Sequence, residues 1–153
     1  NAVFAAQLGW DVKAFDFSES GKQKAKTLAQ QKQVTIDYSI RNISDAEYDF
    51  NGANVVSLVY AHFPPSARKK LHQKAIEWLK PGGKIILEAF NLNQMDNASG
   101  GPKDKDMLYS MDMLREDFKS LNIKLLETKQ VQLNEGDYHK GKADIIRLIA
   151  TKN

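Results

Sequence analysis

The 153-residue chain contains no cysteine. That excludes disulfides, thiolate nucleophiles and sulfur ligands for a metal, and it fits a reducing, cytoplasmic setting. With 4 proline and 9 glycine residues, it is neither a collagen-like nor a low-complexity chain. Long apolar runs are missing too: the longest, Val55–Tyr60 and Ile145–Ala150, fall far short of the roughly 20 residues of a membrane span. Nor does one sign of charge dominate. The 22 Lys and Arg residues oppose 19 Asp and Glu, leaving a scattered +3 that gives no footprint for nucleic acid. The lysines between Lys22 and Lys32 read as a solvated helix face.

What is present suits one globular domain, 42% hydrophobic and 27% charged, long enough to bury a core. Asn1–Leu8 reads as the back half of a helix with Gly9 at its end, and Val12–Phe17 as a buried strand with Asp16 near its close. From Ser18 or Ser20 a helix is expected to about Gln31, with Gln23 at the capping-box position relative to Ser20. Its Ala25, Leu28 and Ala29 share one stripe. Val34–Ser39 reads as a strand, an acidic stretch with Asp45, Glu47 and Asp49 follows, and Ala53–Tyr60 reads as a strand covered on both faces. Pro64 and Pro65 open a helix ending near Leu79, whose Leu71, Ala75 and Leu79 repeat at helical spacing. Pro81-Gly82-Gly83 then turns the chain into a strand over Lys84–Ala89. Strands and helices alternate, which signals an α/β sheet with parallel crossovers.

Asn91–Asp106 has no periodicity, and so long a loop suggests a binding or lid role, with Gly100-Gly101-Pro102 as a turn or a hinge. Ser110 can cap a helix holding Met113, Leu114 and Phe118. Ile123–Val131 and Ala143–Ala150 read as strands joined by too few residues for a crossover helix, hence an antiparallel hairpin.

Ligands of open α/β sheets bind outside the carboxyl ends of the strands. That rule selects Asp16 and Phe17, Ser39–Arg41, Tyr60–Phe63, Glu88–Gln94, and the hairpin tip around Tyr138 and His139. A strand-end carboxylate such as Asp16 is placed to accept two hydrogen bonds from a ribose diol, or else to cap the next helix. The backbone amides of Ile40 and Arg41, beside Ser39, are placed to read an adenine edge. His62 follows a strand and is a candidate proton acceptor, whereas His72 is expected on a helix surface. Grouping His62, His139 and Glu88 as a metal site has no ligand spacing behind it. G-x-S-x-G and G-x-x-x-x-G-K-[ST] are both missing, so neither a hydrolase elbow nor a phosphate-cradling loop is supported.

Taken together, these residues resemble the class I S-adenosylmethionine-dependent methyltransferases. AIEWLKPGGKIILEAF is similar to the family's helix, Pro-Gly-Gly turn and fifth strand. GWDVKAFDFSESGKQKAKTLA is similar to its second strand, ribose-binding acid and following helix, and the closing hairpin is the family's hallmark. Within the family, HFPPSARKKLH, EAFNLNQ and GGPKDKDMLYSMDMLREDF resemble a small bacterial tellurite-resistance and thiopurine-type group. The expected fold is a Rossmann-like α/β sandwich, mostly parallel, with an antiparallel C-terminal hairpin and its first strand absent. The family's first strand and glycine-rich loop belong immediately before Asn1, between the strands ending at Asp16 and Tyr60, so the natural chain is expected to be longer.

The resemblance implies S-adenosylmethionine as cofactor, with Asp16 on the ribose, Phe17 against the adenine, and Ser39 with Ile40 at the adenine edge. Tyr60 and Ala61 would border the methionine portion. Asn91, Gln94, Gly101 and His139 would face a small-molecule acceptor. If the acceptor needs a base, the candidates are His62 and Glu88; an anionic or soft nucleophile needs none. No metal, nucleic acid or membrane partner is expected, and oligomeric state is left open. A nicotinamide-dependent oxidoreductase would also use Asp16, but the hairpin and the Pro81-Gly82-Gly83 turn argue against it. A non-catalytic scaffold of the same fold is the other alternative.

Overall fold

A computed structural model describes residues 1–41, 52–136 and 139–153. The chain divides into two compact units, Asn1–Tyr48 and Asp49–Asn153. Expectations for Asp45, Glu47, Asp49 and Tyr138 fall outside the described residues.

In the first unit, α1 (Ala2–Gln7) stops at Leu8, and Gly9 follows with φ +85°, the left-handed conformation that ends helices cheaply. Then come β1 (Lys13–Asp16), α2 (Glu19–Gln31) and β2 (Asp37–Ile40). Ser18 is the cap of α2, its Oγ accepting from the Gly21 N–H at 3.0 Å. The Ser20–Gln23 capping box therefore does not form; Ser20 Oγ instead lies 3.0 Å from Ser18 Oγ. Strands β1 and β2 pair in parallel, with Phe15 opposite Ser39 and Asp16 opposite Ile40. Of the stripe expected on α2, Ala29 is buried but Leu28 is exposed.

The second unit runs β3 (Ala53–Val59), α3 (Pro65–Trp78), β4 (Leu79–Phe90), two 3₁₀ turns (Leu92–Asp96 and Lys105–Met107), α4 (Met111–Asp117), β5 (Asn122–Asn134) and β6 (Lys140–Thr151). Its sheet has the order β3-β4-β6-β5. Strands β3 and β4 are parallel, whereas β4–β6 and β5–β6 are antiparallel, which forms the expected hairpin. The Pro81-Gly82-Gly83 turn lies within β4 as an irregularity in the β3–β4 register rather than ahead of the strand. Gly82 (φ +76°) and Gly83 are both held to Lys152: Gly82 N–H donates to its carbonyl at 2.9 Å and its N–H donates to Gly83 O at 2.8 Å.

Alternation along β4 buries Ile85, Leu87 and Ala89 and leaves Lys84 and Ile86 exposed. Together with Ile146, Leu148 and Ala150 of β6, Leu71 and Ala75 of α3, Leu114 of α4 and Phe118 just beyond it, they make the core. In β3 only Leu58 is buried, while Ala53, Val55, Val56 and Val59 are half-buried, so the expected cover on both faces is only partial.

His72, expected at the surface, is fully buried. Helical spacing puts it beside Leu71 and Ala75. Its Nδ1 lies 2.8 Å from Asp117 Oδ2, which also accepts from Arg68 Nε at 2.8 Å.

Candidate functional site

The four residues assigned to the adenosine end gather at the carboxyl end of the β1–β2 pair. Asp16 closes β1, and its Oδ1 accepts from the Ser18 N–H at 2.9 Å, the capping alternative raised by the sequence. Oδ2 carries no hydrogen bond among the described residues. The exposed carboxylate therefore holds the start of α2 and still offers an acceptor to solvent. Phe17 beside it is 84% exposed, an apolar ring without cover. Ile40 is exposed and Ser39 half-buried. The Arg41 amide, expected to read an adenine edge, is already used: it donates to Asp16 O at 3.0 Å.

In the second unit, the carboxyl ends of β3 and β4 lie side by side, Val59 opposite Glu88. Tyr60 leaves the strand with φ +50°. A left-handed tyrosine costs of order 1–3 kcal/mol and persists only where its surroundings impose it. Here they do. Its N–H donates to Glu88 O at 2.7 Å, its hydroxyl to Glu88 Oε1 at 3.3 Å, and its ring lies 4.7 Å from Phe90 and 6.3 Å from His139, nearly parallel to the latter. Burial first, then the negative charges of Glu88 and Glu135 and the bond to Glu88, push the Tyr60 hydroxyl up to about 12, with Arg147 opposing. Tyr60, Glu88 and His139 are thus brought together.

Glu88 is not a free base. Besides holding Tyr60, it accepts from Arg147 Nε at 2.6 Å across the β4–β6 ladder. Arg147 was missed in the sequence, although it and Glu88 each interrupt an apolar run, Ile145–Ala150 and Ile85–Phe90, the signature of a cross-strand pair.

His62 is corrected from proton acceptor to structural residue. Its Nδ1 donates to Met107 O at 2.7 Å and its Nε2 accepts from the Phe90 N–H at 3.2 Å. Its ring stacks on Phe90 and Tyr109, at 5.7 and 5.1 Å. The only basic lone pair is spent on a backbone amide. Burial lowers its pKa, only partly offset by the bond to Met107, and an Nε2 that accepts from the Phe90 N–H belongs to the neutral ring. Ala61 is held as well, its carbonyl accepting from Tyr109 Oη at 2.8 Å.

The long loop after β4 is not a loose lid. Asn91 is buried, donating from Nδ2 to Ile145 O at 3.0 Å and accepting from the Asn93 N–H at 2.8 Å. Gln94 is its hub. Nε2 donates to Ser99 Oγ and Gly100 O, both at 2.9 Å, and Oε1 accepts from Asn97 Nδ2 and the Asp144 N–H at 3.1 and 2.8 Å. Every polar position of that amide is filled, which corrects its assignment to the acceptor. Gly101, read as a hinge, sits at φ +93° with its α-carbon so close to Phe90 that a Cβ would lie 2.8 Å from the ring. It is a packing contact. Among the described residues no group of three His, Asp or Glu is placed to hold a metal, and no helix is long and apolar enough to cross a membrane.

The parallel strands, crossover helices and antiparallel hairpin define a Rossmann-like methyltransferase fold. The chain belongs to the methyltransferase domain family: that family's model matches residues 1–83, more than half of its length. S-adenosylmethionine is the cofactor that goes with this family and fold. TehB from Haemophilus influenzae is similar, with a TM-score of 0.80 at 15% identity, over 99% of this chain and 53% of that one. A SAM-dependent methyltransferase from Methanosarcina mazei matches with TM-score 0.75 at 15% identity, covering 98% and 85%. The N-methyltransferase NodS from Bradyrhizobium japonicum matches with TM-score 0.65 at 11% identity, covering 93% and 73%. The chain thus spans about half the length of the TehB structure. No curated protein sequence matches it.

Proposed function

We propose that this protein transfers the methyl group of S-adenosylmethionine to a small-molecule acceptor in the cytoplasm. The observation that carries the reading is Asp16: an exposed carboxylate at the end of a parallel strand, its Oδ2 without a hydrogen bond among the described residues, inside the stretch matched by the methyltransferase family. Asp16 would hold the ribose hydroxyls, Phe17 offers its exposed ring to the adenine, and Ser39 and Ile40 complete that end. Tyr60 and Ala61 would border the methionine end, with His139 toward the acceptor. When bound, the cofactor supplies a methyl group on a sulfonium, open to in-line attack.

The protein's own contribution is alignment and exclusion of water. His62 has no lone pair to give, and Glu88 is committed to Arg147 and Tyr60. This favours an acceptor that arrives with its nucleophilic lone pair already free. Calorimetric titration of S-adenosylmethionine and S-adenosylhomocysteine, with NADH as control, tests the reading. Binding of both sulfur compounds and loss of that binding in Asp16→Ala are expected; binding of NADH instead overturns it.

A further inference from the structure

The segment that follows β3 is fixed by side chains that the methyl-transfer reading leaves without a role. Tyr109 is fully buried. It donates from Oη to Ala61 O at 2.8 Å and accepts there from the Phe63 N–H at 3.2 Å. His62, between those two residues, ties the same segment to the end of β4 through the Phe90 N–H and to the second 3₁₀ turn through Met107 O. Four hydrogen bonds therefore fix three consecutive residues, all starting one residue beyond the left-handed Tyr60. Nothing local to the sequence Tyr60-Ala61-His62-Phe63 favours that backbone; the imposed geometry comes from β4 and from residues more than 40 positions away.

We propose that His62 and Tyr109 are positioning residues. They hold Ala61 and the Tyr60 backbone in the one conformation that lays the Tyr60 ring along Phe90 and its hydroxyl on Glu88, and so shape the methionine end of the cofactor site. Their chemistry suits this. A neutral imidazole stacked between two aromatic rings supplies one donor and one acceptor along fixed directions, and a buried phenol supplies another such pair on a rigid ring. Neither residue touches the reacting atoms; both act through Ala61 and Tyr60. The proposal rests on the methyltransferase reading and goes beyond it in assigning support of one end of the ligand only.

The test compares two ligands, S-adenosylhomocysteine, which has the amino-acid end, and adenosine, which lacks it. Tyr109→Phe removes two hydrogen bonds while keeping the ring; His62→Gln retains a donor and an acceptor, and His62→Leu retains neither. The expected result is a loss of about tenfold in S-adenosylhomocysteine affinity for Tyr109→Phe and His62→Leu, each of which removes two hydrogen bonds that act on the ligand only through the Tyr60–Ala61 backbone, with adenosine affinity unchanged and partial recovery in His62→Gln. A role confined to global stability moves both ligands together and leaves their ratio constant, which overturns the proposal. Wild-type protein that binds neither ligand overturns the methyltransferase reading itself. Should Tyr109→Phe fail to fold, the two His62 variants make the same comparison.

Discussion

His72 Nδ1 lies 2.8 Å from Asp117 Oδ2, with both side chains wholly shielded from solvent. The contact joins α3 to the end of α4, and Arg68, only slightly exposed, adds a second donor to the same oxygen. His72 Nε2 and Asp117 Oδ1 have no partner among the described residues, so the cluster stabilises by less than its contacts suggest. Removing one member is another matter, because the remaining groups stay buried and uncompensated. Asp117→Ala is expected to destabilise the protein by about 3–5 kcal/mol, read as a lowered midpoint in urea. Burial raises the Asp117 carboxyl, but the hydrogen bonds and charges of His72 and Arg68 outweigh it and hold the group below its usual value of 3.8. The unfolded chain therefore binds the proton first. The contribution is present above the unfolded value and is lost as pH falls through the folded one, so the acid limb of the stability curve should flatten in Asp117→Ala.

His62 gives a second pH dependence in a different window. Its folded value lies below 6.5, chiefly because burial penalises the imidazolium. A proton on Nε2 would also face the Phe90 N–H, donor against donor. Between the folded value and 6.5 the unfolded state holds more protons, so stability rises with pH there and is complete above 6.5. In denaturation midpoints measured across this window, His62→Gln should show a shallower slope than wild type. An unchanged slope would mean that His62 binds its proton equally in the folded and unfolded states.

Gly101 tests the loop. Its φ of +93° disfavours any side chain, and a Cβ would approach Phe90 Cδ2 to 2.8 Å. Phe90 is itself packed among Leu108, Ala143 and Ile145 and has little room to retreat. Gly101→Ala should cost of the order of 1–3 kcal/mol from backbone strain and displaced packing together. Thermal unfolding reads this directly. A free hinge would instead accept alanine with a gain of a few tenths of a kcal/mol.

Much of the fold was written locally. Ser18, Pro65 and Ser110 mark helix starts because the cap or ring chemistry lies in one or two residues, and the short β5–β6 connection permits only a hairpin. What escaped was whatever depended on a distant partner. The burial of His72 is decided by Asp117, 45 positions on; the loss of His62 as a base is decided by Phe90 and Met107. Gln94 looked available because the Asn91–Asp106 stretch has no periodicity, but its amide is saturated by Asn97, Ser99 and Gly100 of the same stretch together with the Asp144 N–H, 50 residues away. Position at a strand end selected these residues from the sequence, while occupancy of each lone pair was legible only in three dimensions.

Tyr60 reports on the second cluster through its ionisation. Burial is the largest cause of its rise to about 12, followed by the Glu88 charge, so Glu88→Gln should lower the value while leaving it above 10. Ultraviolet titration of tyrosinate, with Tyr60→Phe as the blank, isolates this residue. Arg147→Met should act in the opposite direction, because the guanidinium favours the phenolate. If both substitutions leave the titration unmoved, the Tyr60–Glu88–Arg147 contact does not form in solution.

The adenosine end gives the last prediction. Asp16 has two separable duties, since Oδ1 serves the Ser18 N–H and Oδ2 carries no hydrogen bond among the described residues. Loss of the cap alone costs about 1 kcal/mol of stability. Loss of charged hydrogen bonds to a ribose diol costs about 1.5–3 kcal/mol each, which is at least tenfold in affinity. Asp16→Asn keeps an acceptor for the Ser18 N–H, so the fold should keep nearly all its stability, whereas S-adenosylhomocysteine affinity should drop by tenfold or more in calorimetric titration. Equal binding by Asp16→Asn and wild type would reduce Asp16 to a helix cap and remove the observation on which the methyltransferase assignment of this strand end rests.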